Sequence, residues 1–186
     1  MKSETVNTTP KTGIHPLVIG IIGVAALAGS SYLSVPLYPV PVTLQTLVVL
    51  MVGALAGPWM GATIVLAWLG LSMAGLPLLA DGKAGLMAFT GPTGGYLASF
   101  PLVAYLAGYL PTGGRIRSLA LGLAGFLALH ALVLACGWLW LSHFVGMHSA
   151  FVNGVLPFLA GSALKSGLAT GLLAAWKDTD KTEHAH

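Results

Sequence analysis

Residues 156–176 read LPFLAGSALKSGLATGLLAAW. A bilayer crossing takes about 20 apolar residues, and this run meets that length. It holds one formal charge, Lys165, with no acidic residue near it in sequence. An ammonium at membrane depth costs about 2.5–3.5 kcal/mol on insertion scales. A helix that carries such a cost points to an anionic partner in a polar cavity.

The rest of the chain agrees with a membrane setting. Its 186 residues are 56% hydrophobic and 7% charged, whereas an ordinary soluble domain is about 25% charged. From Pro16 to Trp176 the other formal charges are Asp81, Lys83, Arg115 and Arg117, all in Gly- or Pro-marked breaks. The basic residues are dispersed, so nucleic acid is not an expected partner. The single cysteine, Cys136, lies in LVLACGWLW and excludes an internal disulfide. It reads as a small packing residue.

The expected fold is an all-α integral membrane protein, a compact bundle of six transmembrane helices. The spans fall at about 16–34, 43–57, 58–75, 92–110, 117–141 and 153–176. Polar tails cover 1–15 and 177–186, and the bundle covers 16–176. The first run is longer than the h-region of a secretory signal, about 7–15 residues, and reads as a retained helix. Gly57-Pro58 stops one helix and starts the next. With both termini cytoplasmic, the inner flanks collect Lys2, Lys11, Arg115, Arg117, Lys177 and Lys181, while the outer loops hold Lys83. That asymmetry follows the positive-inside rule. The outer connections are then about 35–42, 76–91 and 142–152, and polar groups gather towards them.

Small residues recur four apart at Ala25/Gly29, Gly53/Gly57, Gly57/Gly61 and Gly167/Gly171. This spacing lets helices approach closely in lipid. It serves either packing within the bundle or, at Ala25 and Gly29, docking of another membrane subunit. No internal repeat is visible, which disfavours an inverted-repeat transporter.

Three segments hold the candidate chemistry. GPTGGY, Gly91–Tyr96, lacks the Lys-Ser/Thr of a phosphate-binding loop, so nucleotide hydrolysis is not expected. Gly91, Thr93 and Gly95 read either as a simple turn into a helix or as backbone approaching a ligand, with Tyr96 on the wall. PVPVTLQTL, 39–47, puts Thr43, Gln45 and Thr46 at an outer helix mouth. Thr43 suits a helix cap; an amide that both donates and accepts suits a ureido or amide ligand. AGSALKSG, 160–167, contains Ser162 and Lys165 in S-x-x-K spacing. The accompanying K-T-G, Lys11–Gly13, stands in the wrong order for a penicillin-recognising enzyme, and S-D-N is missing. A Ser/Lys intramembrane hydrolase is therefore a distant alternative, and no catalytic residue is expected. His143 with His148, and His184 with His186, have no third ligand nearby, so no metal site is expected. His130, mid-helix, reads as an internally satisfied histidine. Trp and Tyr cluster near helix ends as an interfacial belt would; Trp68 is the exception, facing cavity or lipid.

Taken together, PVPVTLQTLVVLMVGALAGP, GLPLLADGKAGLMAFTGPTGGYLASFP and LPFLAGSALKSGLA resemble the BioY family, the biotin-specific substrate-binding (S) components of energy-coupling factor (ECF) transporters. The resemblance covers most of 35–110 and the start of the last helix. It implies a six-helix bundle in a prokaryotic cell membrane that captures biotin from outside and needs no cofactor. It also implies a transmembrane coupling protein and two ATPases as partners, or a homo-oligomer if the chain works alone. Small residues on the first helix, here Ala25 and Gly29, would meet the coupling protein. Two positions depart from the family pattern F-L-P-G-D-x-x-K: Ala160 stands where the proline belongs, and Ser162 where the acidic residue belongs. An Asp there would pair with Lys165 one turn on. Its absence leaves Lys165 unpaired in the empty protein, and leaves room for another vitamin or a biotin precursor.

The expected pocket opens outward between the 35–45 connection, the 80–96 connection and the last helix. Thr43, Gln45, Tyr96 and Asn153 are the expected neutral hydrogen-bonding groups, and Lys165 the buried charge. Asp81 and Lys83 read as a solvated loop or a lid.

Overall fold

The structure is a computed structural model that describes the backbone of residues 15–111 and 116–183, and the side chains of 15–111 and 117–176. Lys2, Lys11 and the K-T-G at Lys11–Gly13, Arg115, His184, His186 and the side chains of Lys177 and Lys181 lie outside the described residues. The chain is mostly helical: α1 (Pro16–Ser31), α2 (Gln45–Ala56), α3 (Pro58–Met73), α4 (Leu86–Thr90), α5 (Gly94–Ala107), α6 (Ile116–Val145), α7 (Met147–Gly154) and α8 (Leu156–Glu183).

Two stretches, Arg117–Val145 and Met147–Trp176, are long and apolar enough to cross a membrane unaided. Four shorter apolar helices, α1, α2, α3 and α5, complete the bundle. At 1.5 Å per residue, the 12 residues of α2 reach only about 18 Å. The connection preceding α2 is not helical. There, β1 (Ser34–Val35) and β2 (Val42–Thr43) pair antiparallel, Ser34 opposite Thr43. This ribbon was not foreseen in an all-α chain. The proline-rich stretch cannot continue a helix, so its backbone groups find partners across the hairpin instead.

Two expected loops contain helix. The 76–91 connection holds a 3₁₀ turn at Ala80–Gly82 and then α4. The 142–152 connection is mostly helix, with α6 continuing to Val145 and α7 following Gly146 at φ 80°. The polar residues His143, His148 and Asn153 suggested outer loops, but each polar side chain finds room on an exposed helix surface. The last helix also runs seven residues past Trp176.

α5 is the central element, packed against α2, α3, α4 and α6. It buries Tyr96, Leu97, Phe100, Val103 and Ala104. Where α2 crosses α5, a Cβ on Gly53 would lie 2.1 Å from the Ala104 carbonyl oxygen. A Cβ on Gly61 would lie 2.6 Å from the Gly53 Cα. These small residues therefore serve internal packing. Gly29, Gly167 and Gly171 instead have open space beside them. Trp68 faces neither the cavity nor lipid: it is fully buried, donates to the Leu78 carbonyl at 3.1 Å and stacks on Phe100.

Large apolar side chains remain exposed along whole helices, such as Leu17, Ile21 and Ile22 on α1 and Leu164, Leu168 and Leu172 on α8. In water this would be an aggregating surface; in a bilayer it is the solvated one. Exposed Tyr32 and Tyr38 lie at one end of the bundle helices, and Trp59, Tyr109 and Trp176 at the other.

Candidate functional site

Lys165 is buried, at 8% exposure, on α8. Its Nζ donates to the Thr43 carbonyl and, at 3.0 Å, to the Thr46 hydroxyl. The amine has no carboxylate partner among the described residues, but it is not stranded. An ammonium has three N–H donors, and the two bonds leave a third uncommitted.

The groups that receive Lys165 are held by a network reaching α1. The Thr43 hydroxyl donates to Gln45 Oε1 at 3.2 Å, and Gln45 Nε2 donates to the Ser31 hydroxyl at 2.7 Å. Ser31 donates in turn to the Leu27 carbonyl at 2.9 Å. The Thr43 and Ser31 hydroxyls and one N–H of Gln45 thus each have an acceptor, as a low-dielectric interior favours. Thr43 also accepts from the Gln45 backbone N–H at 3.3 Å, which steadies the first turn of α2.

Lys165 lines a partly enclosed cavity. The apolar part of the wall includes Val40, Pro41, Leu79, Leu97, Phe100, Val133, Leu134 and Phe158. Thr43, Gln45, Thr46, Lys83, Thr93, Tyr96, His130 and Ser162 add polar groups. A mostly apolar wall with a few placed polar groups is the usual lining of a small-molecule site.

The expected site residues thus divide. Thr43, Gln45, Thr93, Tyr96, Ser162, Lys83 and Lys165 share the cavity wall. Tyr96 contributes mainly its ring, because its hydroxyl donates to the Gly154 carbonyl at 2.7 Å. Thr93 donates to the Ala88 carbonyl at 3.1 Å. Gly91 and Gly95 are not in the wall. The Gly91 carbonyl accepts from Trp140 Nε1 at 2.8 Å, and a Cβ on Gly95 would lie 2.3 Å from Trp140 Cβ. The close approach in GPTGGY is to α6. Asn153 sits exposed on α7 and donates to the Ser149 carbonyl at 2.9 Å. Asp81, at φ 59°, accepts from Ser34 at 3.2 Å and pairs with Lys83 at 3.7 Å, tying this turn to the hairpin. Ala25 and Gly29 share an exposed face of α1.

The sequence placed Thr46 at the helix mouth but not among the expected site residues, and it did not mark His130; both lie in the wall. Thr46 was legible as a polar residue in PVTLQTL, but its bond to Lys165 spans 119 positions. His130 was read as satisfied, whereas its Nε2 is buried with no partner. Ser162 makes no hydrogen bond to Lys165 among those described, so the S-x-x-K pair is not a Ser–Lys dyad.

The BioY family model matches residues 2–181. The chain belongs to the BioY family. Among its relatives is a protein of Pyrococcus horikoshii named "Probable biotin transporter BioY", 36% identical over 146 residues, spanning 78% of this chain and 86% of that one. The biotin transporter BioY of Rhodobacter capsulatus is 32% identical over 172 residues, spanning 84% and 89%. A crystal structure of the biotin S-component of an ECF-type ABC transporter superposes with a TM-score of 0.76, at 25% identity, over 88% of this chain and 90% of that one. This BioY-family chain is a transporter component of the membrane and not an enzyme. That removes the hydrolase alternative.

Proposed function

We propose that this chain is the biotin-capturing S component of an ECF-type vitamin transporter in a prokaryotic cell membrane. The observation that carries the reading is Lys165, buried in a largely apolar cavity with neutral partners alone among the described residues, in a chain of the BioY family. Biotin offers an apolar ring and tail, a ureido head and one carboxylate. The cavity offers apolar walls, hydroxyl and amide groups, and one buried cation. Thr43, Gln45, Thr46, Ser162 and Lys165 are the proposed polar contacts, with Tyr96 and Phe158 as wall.

In this reading α1, α2, α3, α5, α6 and α8 make six crossings, and both termini are cytoplasmic. The cavity then opens outward beneath the hairpin and the Asp81–Lys83 turn, which acts as a lid. The open Ala25/Gly29 face meets a transmembrane coupling protein, energised by two ATPase subunits, or a second copy if the chain works alone.

Ser162 favours a second reading, an S component for a biotin precursor or another small vitamin. A thermal-shift panel on the detergent-solubilised protein separates them. Biotin should raise the melting temperature most; a larger shift with desthiobiotin or thiamine would overturn the first reading.

A further inference from the structure

His130 is buried at 2% exposure on α6, in the cavity wall beside Val133 and Leu134. Its Nδ1 lies 3.0 Å from the Phe126 carbonyl oxygen and 3.0 Å from the Ser166 hydroxyl. A carbonyl only accepts, so Nδ1 carries the proton. Ser166 gives its own proton to the Ser162 carbonyl at 2.8 Å, which leaves its oxygen free to accept from Nδ1 as well. In the neutral ring Nε2 is then a bare lone pair. Among the described residues it has no donor, and it is shielded from water. The network thus holds one ring nitrogen firmly and leaves an acceptor unfilled at a site built to receive a molecule.

We infer that His130 is a specificity-determining residue whose Nε2 accepts a hydrogen bond from an amide- or urea-type N–H of the ligand. This rests on the proposed ligand-binding role of the cavity; for biotin the donor is one of the two ureido N–H groups. Neighbouring side chains cover the ring edge, so contact comes with a small movement of the wall as the ligand seats. A buried acceptor that requires a donor rejects analogues lacking it, because the group is then left unpaired. Lys165 recognises negative or carbonyl oxygen, and His130 recognises the opposite polarity, so together they orient the ligand.

The test measures affinity of the purified protein for biotin and for its two mono-N-methylated ureido analogues, in wild type, His130→Phe and His130→Gln. His130→Phe should weaken biotin by roughly ten- to a hundredfold. One methylated analogue should bind wild type weakly by a similar factor, with no further loss in His130→Phe. His130→Gln should recover part of the affinity, since its amide can donate to Phe126 and accept from the ligand. Unchanged biotin affinity in His130→Phe, or equal methylation penalties in both proteins, overturns the inference. So does a loss of the same size for every ligand in both variants, which marks a structural role. Should wild type bind no biotin, the biotin reading falls, and the ¹⁵N shifts of His130 decide the rest: a protonated Nε2 overturns the acceptor role.

Discussion

At the scale of the residue, Lys165 connects α8 to the entry of α2 through Thr43 and Thr46. Its charge and apolar surroundings were plain in the sequence. Its partners were not, because they lie 122 and 119 positions away. The structure also corrects the expectation of an unpaired amine: a backbone carbonyl and a hydroxyl take the place of the missing carboxylate. Neutral acceptors solvate the ammonium without cancelling its charge, so an anionic or carbonyl group on a ligand retains a strong attraction. Substituting Lys165→Ala should therefore weaken biotin binding by well over tenfold. Unchanged affinity by calorimetry would remove Lys165 from the site. Thr46→Val deletes one acceptor and keeps the shape. A typical hydrogen bond contributes about 1 kcal/mol net, so a several-fold weaker affinity is expected, with an intact fold by thermal denaturation. Gln45 illustrates a limit of sequence reading. Its amide suits a ligand, yet one donor and its oxygen are already engaged with Ser31 and Thr43.

At the scale of the element, the breaks at Pro16, Gly57-Pro58 and Pro111 were legible because proline and glycine act locally. The bounds of α1, α2 and α3 follow them closely. The hairpin, α4 and α7 were not legible. Their apolar and polar residues fit several backbones, and contacts with the bundle choose among them. The four-residue spacing of small side chains also had two readings, and packing separates them residue by residue. Gly95 touches α6, where a Cβ would lie 2.6 Å from the Cys136 carbonyl oxygen as well as meeting Trp140. Gly95→Ala should lower the melting temperature by several degrees or prevent folding; an unchanged melting curve would contradict this packing. Gly29 faces open space. Gly29→Ala should leave the melting curve and ligand affinity unchanged while weakening copurification with a coupling protein. Normal copurification would take this face out of the proposed interface.

At the scale of the whole molecule, the bundle is turned outward: apolar side chains cover its flanks, and Lys165 with several neutral polar groups lines one cavity. The proposed topology predicts that a fluorescent protein fused to the carboxyl end glows in cells and that alkaline phosphatase fused there is inactive. The reverse pattern would break the six-crossing reading. The lid proposal predicts faster ligand release when Asp81 and Lys83 are both replaced by Ala; unchanged release would mark a solvated turn. Composition alone determined that this chain belongs in a bilayer, because the deficit of charge is summed over every residue and needs no partner. The resemblance in three segments pointed to the family, and Lys165 marked the candidate site, because a buried cation is conspicuous wherever it stands. Only the tertiary structure decided which polar groups share the cavity with it. Hydrogen bonding is directional and acts within about 3 Å, so Gln45, Tyr96 and His130 acquired their partners, or in one nitrogen's case lacked one, when distant helices were set side by side.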